Sequence, residues 1–192
     1  MISAVVLAAG RSGDQNIFSP LEKKPLLQWV LESALASDLD EIICVTRDLA
    51  AVRREIKLAN RRLCWLVNSA ADRGQSTSVI AGLWASNPQS QGVMFLAGDR
   101  MPVRAELINL LIAKFERCPA SIVAPGFASE PRSPALFRRD LFPELLNLTG
   151  DRSGCSLLER HPEKIVLVEW QEEISFLAVA ESKDRKRLNP SD

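Results

Sequence analysis

The feature that most restricts how this chain can fold is a series of short, uninterrupted apolar runs separated by segments of helical periodicity. The runs are Ala4-Val5-Val6-Leu7-Ala8-Ala9, Ile42-Ile43-Cys44-Val45, Leu63-Cys64-Trp65-Leu66-Val67, Val93-Met94-Phe95-Leu96-Ala97 and Ile122-Val123-Ala124. None alternates with polar residues as a strand with one wet face would. Continuous apolar strands are covered on both faces, the condition of a parallel sheet. Between the runs, Leu26, Leu27, Val30, Leu31, Ala34 and Leu35 form a stripe that starts just after Pro25, a residue suited to a first helical turn. Residues 49–59 read as a second helix with Arg53, Arg54 and Lys57 on its wet side, and residues 76–85 and 104–115 repeat the pattern. Strand and helix in alternation predict the α/β class, with a mainly parallel, doubly wound sheet.

The second half is less regular. Residues 128–134 read as a loop, Leu136-Phe137 as a short strand, and residues 141–148 as a helix ended by a break at Thr149-Gly150-Asp151. A helix over 156–160, strands at Ile165-Val166-Leu167-Val168 and at 176–180, and a charged tail follow. No internal repeat or long linker divides the chain, so residues 1–192 are expected to form a single domain. The 46% hydrophobic content supplies a sizeable core.

Lys plus Arg and Asp plus Glu number 24 each. That balance argues against binding to nucleic acid or to an acidic membrane surface, both of which need a basic excess. No apolar stretch approaches the ~20 residues of a membrane span, and the first residues lack a basic n-region, so a cytoplasmic location is expected. Cys44, Cys64, Cys118 and Cys155 are dispersed, which disfavours a disulfide framework or zinc site; Cys44 and Cys64 read as small core residues. Trp29, Trp65, Trp84 and Trp170 read as core or interface residues, and His161 as a surface or capping residue before Pro162.

In a doubly wound sheet, ligands bind beyond the carboxyl ends of the strands. The first such end is Leu7-Ala8-Ala9-Gly10-Arg11-Ser12-Gly13. Its backbone N–H groups and Arg11 suit phosphate oxygens, although an ordinary β–α turn has the same composition. It is neither a P-loop nor a dinucleotide fingerprint. The second is Gly98-Asp99-Arg100, where the carboxylate suits magnesium or, alternatively, a turn or helix cap. The third is Asn68 with Gly74-Gln75-Ser76-Thr77-Ser78, which can read a base edge or ribose hydroxyl or can simply open a helix.

In this order and at these separations, the three elements resemble the molybdenum cofactor nucleotidyltransferases, closest to the cytidylyltransferase branch and related accessory proteins of xanthine dehydrogenase. Lys24-Pro25-Leu26-Leu27, the segment from Leu141 to Arg152 and Glu159-Arg160-His161-Pro162 are also similar to that family. The resemblance implies a Rossmann-like three-layer sandwich of the glycosyltransferase-A type. It implies transfer of CMP or GMP from CTP or GTP to the phosphate of molybdopterin cofactor, with release of pyrophosphate, and a molybdoenzyme of the xanthine dehydrogenase type as a possible destination. By the resemblance, Asp99 would hold magnesium and act in catalysis with Arg11. Gly10 and Arg11 would contact the triphosphate. Leu7, Ala8, Ala9, Asn68, Gly74 and Ser78 would complete the nucleotide site, with Ala9 favouring CTP.

The chain also departs from the family pattern. The first loop is about three residues shorter, and Asn16 stands where the family carries a phosphate-binding Lys, with Arg11, Lys23, Lys24 or Arg100 as conceivable substitutes. Ser133 stands where the cytidylyltransferase branch has His. The apolar pair Ala178 and Ala180 occupies a late strand where the family has carboxylates, and the metal motif has its proline one position late, at Pro102. These departures keep two alternatives in play: a catalytically degenerate nucleotide- or cofactor-binding protein that assists molybdoenzyme maturation, and a sugar- or polyol-phosphate nucleotidyltransferase.

Overall fold

A computed structural model describes residues 1–10, 17–21 and 23–171. Arg11, Asn16, Ala178, Ala180 and the expected strand at 176–180 lie outside the described residues.

The apolar runs form the strands expected of them: β1 (Ile2–Ala8), β2 (Glu41–Thr46), β3 (Leu63–Val67), β4 (Gly92–Ala97) and β5 (Ile122–Phe127). Two later strands are β6 (Ala135–Arg138) and β7 (Ile165–Glu169). They build a sheet in the order β7-β5-β6-β4-β1-β2-β3. Along this order pairing is parallel except at β6, which runs antiparallel to both neighbours. The helices between them are α1 (Leu26–Ala36), α2 (Leu49–Glu55), α3 (Gln75–Ala85), α4 (Ala105–Arg117), α5 (Phe142–Leu146) and α6 (Cys155–Arg160).

The strand residues alternate between two cores. Ala4 and Val6 of β1, Ile42 and Cys44 of β2, and Met94 and Leu96 of β4 face one core with α1, α2 and α4. Val5, Ile43, Val45, Val93 and Phe95 face the other with α3, α5 and α6. Both sheet faces are therefore dry, which is why the runs show no polar alternation. The result is the three-layer α/β sandwich with a mainly parallel sheet that the pattern predicts. On one face α3 lies very close to β1: a Cβ at Gly82 would stand 2.3 Å from Val5 Cγ1.

Polar side chains fasten two helix ends. Asp48 caps α2 by accepting from the N–H groups of Ala50 and Ala51, at 2.8 and 3.0 Å, an arrangement that contributes about 1 kcal/mol. Arg138 stacks over Phe115 and donates to the carbonyls of Phe115, Cys118 and Ala120 beyond the carboxyl end of α4, where the helix leaves acceptors unpaired.

Some expectations need correction. The helix over 49–59 stops at Glu55, because Ile56 turns extended and is buried. The loop at 128–134 contains a two-residue strand, Glu130–Pro131, paired with β5. Cys44 is buried, and burial pushes its thiol pKa upward. Cys64 is exposed, because β3 is an edge strand less fully covered than β1 and β2. Trp84 is not in the core; it stands 75% exposed on the outer side of α3. Among the described residues no helix is long and apolar enough to cross a membrane.

Candidate active site

The parallel strands point their carboxyl ends to one edge of the sheet, and the predicted elements meet there. Leu7, Ala8, Ala9 and Gly10 at the end of β1, Ser78 in the first turn of α3, and Asp99 beyond β4 line one cleft of about 310 Å³. The Gly98 N–H donates to the Leu7 carbonyl at 3.0 Å. This bond extends the pairing of β1 with β4 and fixes Asp99 beside the glycine-containing turn. Arg47 steadies the same turn: its Nε donates to the Ala9 carbonyl at 2.9 Å, and a terminal nitrogen pairs with Asp72 at 2.7 Å.

Asn68 and Gly74 do not line that cleft; they shape the segment that does. Asn68 is buried. Its side-chain amide donates to Thr77 Oγ1 and Ser78 Oγ, each at 2.9 Å, and its Oδ1 accepts from the Ala70 N–H at 3.0 Å. It thereby orients the Ser78 hydroxyl at the cleft. Gly74 has φ 119° and ψ 165°, a region open in practice only to glycine. A Cβ there would lie 2.2 Å from the Gly150 carbonyl oxygen, and that oxygen accepts from the Ser76 N–H at 3.0 Å. The start of α3 and the turn at Gly150 are thus locked together backbone to backbone.

This lock brings in a residue that sequence reading left as part of a helix break. Asp151 lines the cleft with Asp99, as do Gln75, Ala71 and Ile17. The signal was present in Gly150-Asp151, a glycine–acid pair after a helix, but only the contact with Gly74 places it at the site. The donor set suits a hard divalent cation, since both carboxylates are oxygen ligands open to the cleft. No group of three or more His, Cys, Asp or Glu side chains is assembled among the described residues.

A smaller lobe of about 80 Å³ continues from the first. It shares Leu7 and Gln75 and is floored by Phe95 and Phe137, with Arg100, Ser133 and Cys155 among its other walls. The two phenylalanine rings pack at 5.8 Å between centroids. Of the lysines considered as replacements for a cation at Asn16, Lys24 is engaged elsewhere: its Nζ pairs with Glu32 at 2.6 Å and lies 4.0 Å from the centre of the Trp29 ring. Lys23 sits exposed with φ 69° in the turn between the two-residue strands Pro20–Leu21 and Lys24–Pro25. His161 closes α6 and binds Glu144 at 2.8 Å through Nε2, the structural role expected of it.

A glycine-containing turn and a carboxylate meet at adjacent strand ends of a three-layer α/β sandwich, and a family match makes the class of protein a nucleotidyltransferase. The chain belongs to the MobA-like NTP transferase family, whose sequence model matches residues 4–165. It is 27% identical over 198 residues to the purine catabolism protein PucB of Bacillus subtilis, covering 98% of this chain and 90% of that one. The crystal structure of Rv0371c from Mycobacterium tuberculosis is similar at TM-score 0.81 and 26% identity over 99% of this chain and 98% of that one. A structure of the same protein as a complex with manganese is similar at TM-score 0.80. The 4-diphosphocytidyl-2C-methyl-D-erythritol synthase of Anaerococcus prevotii shares the fold at TM-score 0.74 and 20% identity, covering 99% of this chain and 95% of that one.

Proposed function

We propose that this nucleotidyltransferase transfers CMP, or GMP, from the triphosphate to the phosphate of molybdopterin cofactor. The observation that carries the reading is the meeting of the Leu7–Gly10 turn, Ser78 and Asp99 in one cleft at the ends of β1 and β4. An oxygen of the acceptor phosphate attacks the α-phosphorus of the nucleotide. A new O–P bond forms, the bond to the β-phosphate breaks, and its electron pair leaves with pyrophosphate. Two anions must approach each other, so the site has to supply positive potential and fixed donors.

The backbone N–H groups of the turn after β1 cradle phosphate oxygens, with Arg11 contributing a cation. Leu7, Ala8 and Ser78 surround base and ribose, with Ser78 held by Asn68. Asp99 holds a divalent cation, magnesium in the cell, and Asp151 is placed to share it; when bound, the cation neutralises charge that develops on the phosphates. The manganese complex of Rv0371c supports use of a divalent cation, and the name of PucB, a purine catabolism protein, supports a molybdoenzyme of the xanthine dehydrogenase type as the destination.

The test is incubation of the protein with each NTP, magnesium and molybdopterin cofactor, with pyrophosphate measured. Release above an Asp99→Ala control, greatest with CTP, is expected. No release above that control with any nucleotide would refute transfer. The fold shared with the 4-diphosphocytidyl-2C-methyl-D-erythritol synthase keeps a polyol-phosphate acceptor as a second reading. Parallel incubations with sugar and polyol phosphates decide between the two.

A further inference from the structure

Asp99 and Arg100 are consecutive, yet they line different parts of the cleft. Asp99 faces the larger lobe with the turn after β1. Arg100 is absent from that lining and stands in the smaller lobe with Ser133 and the Phe95–Phe137 floor. From there Arg100 and Ser133 continue into a narrow extension beside Met101 and Pro134.

Arg100 also differs from its neighbours in what it does for the fold. Arg47 is held by the Ala9 carbonyl and Asp72. Arg138 is spent on carbonyls beyond α4. Arg100 is exposed, and among the described residues it makes no hydrogen bond or ion pair. Among the described residues lining the smaller lobe and its extension there is no Asp or Glu. A guanidinium with no counter-ion among the described residues, sharing a lobe with two phenylalanines and a serine hydroxyl, is a place for an anion. Its fork of donors fits phosphate, and the low-dielectric floor strengthens the contact.

Resting on the transfer reading above, we propose that Arg100, with the Ser133 hydroxyl, binds the phosphomonoester of the acceptor and so makes the smaller lobe selective for anionic acceptors. Consecutive Cα atoms are about 3.8 Å apart. The residue that serves the nucleotide phosphates and the residue that serves the acceptor phosphate are therefore covalent neighbours, and the attacking oxygen is delivered at the boundary between the lobes. The floor of Phe95 and Phe137 leaves room for an apolar or aromatic acceptor body behind that phosphate.

Two measurements test this. First, inorganic phosphate is titrated by calorimetry into protein saturated with CTP and magnesium. The wild type should bind it, Arg100→Ala at least about tenfold more weakly, as expected for loss of a charge-assisted contact, and Arg100→Lys with an intermediate affinity. CTP affinity should stay within about twofold of wild type in both variants. Second, in turnover with molybdopterin cofactor, Arg100→Ala should raise the acceptor KM at least about tenfold without raising the CTP KM. Equal phosphate affinity in wild type and Arg100→Ala, no phosphate binding to the wild type, or a loss of CTP affinity in the variant would each overturn the assignment. Turnover that fails with every acceptor refutes the transfer reading alone, because the phosphate titration still decides the role of Arg100.

Discussion

Gly74→Ala should loosen both the fold and the site through one backbone contact. The native residue has φ 119° and ψ 165°, which costs an L-residue about 1–3 kcal/mol. The added Cβ would also lie 2.2 Å from the Gly150 oxygen and 2.4 Å from its carbonyl carbon. Both atoms are backbone, so no side chain can swing away. Relieving such an overlap costs a further ~1–3 kcal/mol, giving a destabilisation of ~2–6 kcal/mol. For a chain of this size that is a fall in Tm of roughly 4–24 °C, measurable by circular dichroism. The displaced segment carries Asp151, so calorimetry should show a weaker affinity for CTP with magnesium even where the variant remains folded. A variant that melts within ~1 °C of wild type and binds CTP normally would refute the argument that Gly74 and Gly150 are locked together.

Gly10→Ala is the contrasting case, because a Cβ at Gly10 meets nothing within 4 Å. Its Tm should stay near wild type, while the methyl in the cleft weakens CTP binding by about tenfold, the equivalent of one lost phosphate hydrogen bond; calorimetry and a melting curve separate the two effects. Asp99→Asn should lower pyrophosphate release by about 10²–10³, the scale of losing an electrostatic contact to the transition state, with the melting curve little changed. Glu144 has its carboxyl held below the usual value of 4.5, chiefly by the hydrogen bond from His161. A depressed folded-state pKa stabilises above the ordinary carboxylate range and is lost as pH falls through the lowered value. Glu144→Gln should therefore flatten the acid limb of Tm against pH, and an unchanged limb would show that the pair contributes nothing.

The sheet is legible because the central residues of β1, β2 and β4 form short apolar runs, covered on both faces, that a strand with one wet face does not show. Its antiparallel member was harder. Ala135–Arg138 is only four residues long, too short for periodicity to report direction or neighbours. Cys64 shows the limit of reading apolar character as burial, because an edge strand exposes it, and Trp84 on an outer helical face leaves only the interface half of its core-or-interface reading open. At the site, Leu7, Ala8, Ala9, Gly10, Ser78 and Asp99 were all nominated from strand ends and do share a cleft. Asn68 was nominated as a direct contact, but its hydrogen bonds go to Thr77, Ser78 and Ala70. Asp151 reads in the sequence only as part of a break and of a family-like segment, because its approach to the cleft depends on contact between Gly74 and Gly150, 76 positions apart in sequence.

The reversed direction of β6 divides responsibility for the two lobes. Parallel strands deliver the nucleotide lobe from their carboxyl ends, whereas β6 presents Ser133 to the smaller lobe from its amino end, at the close of the segment that leaves β5. That segment can lengthen, shorten or change sequence without shifting the register of β1 against β4. The acceptor side is thus a separately editable module, and exchanging residues 128–134 is a direct route to altered acceptor preference on an unchanged nucleotide platform.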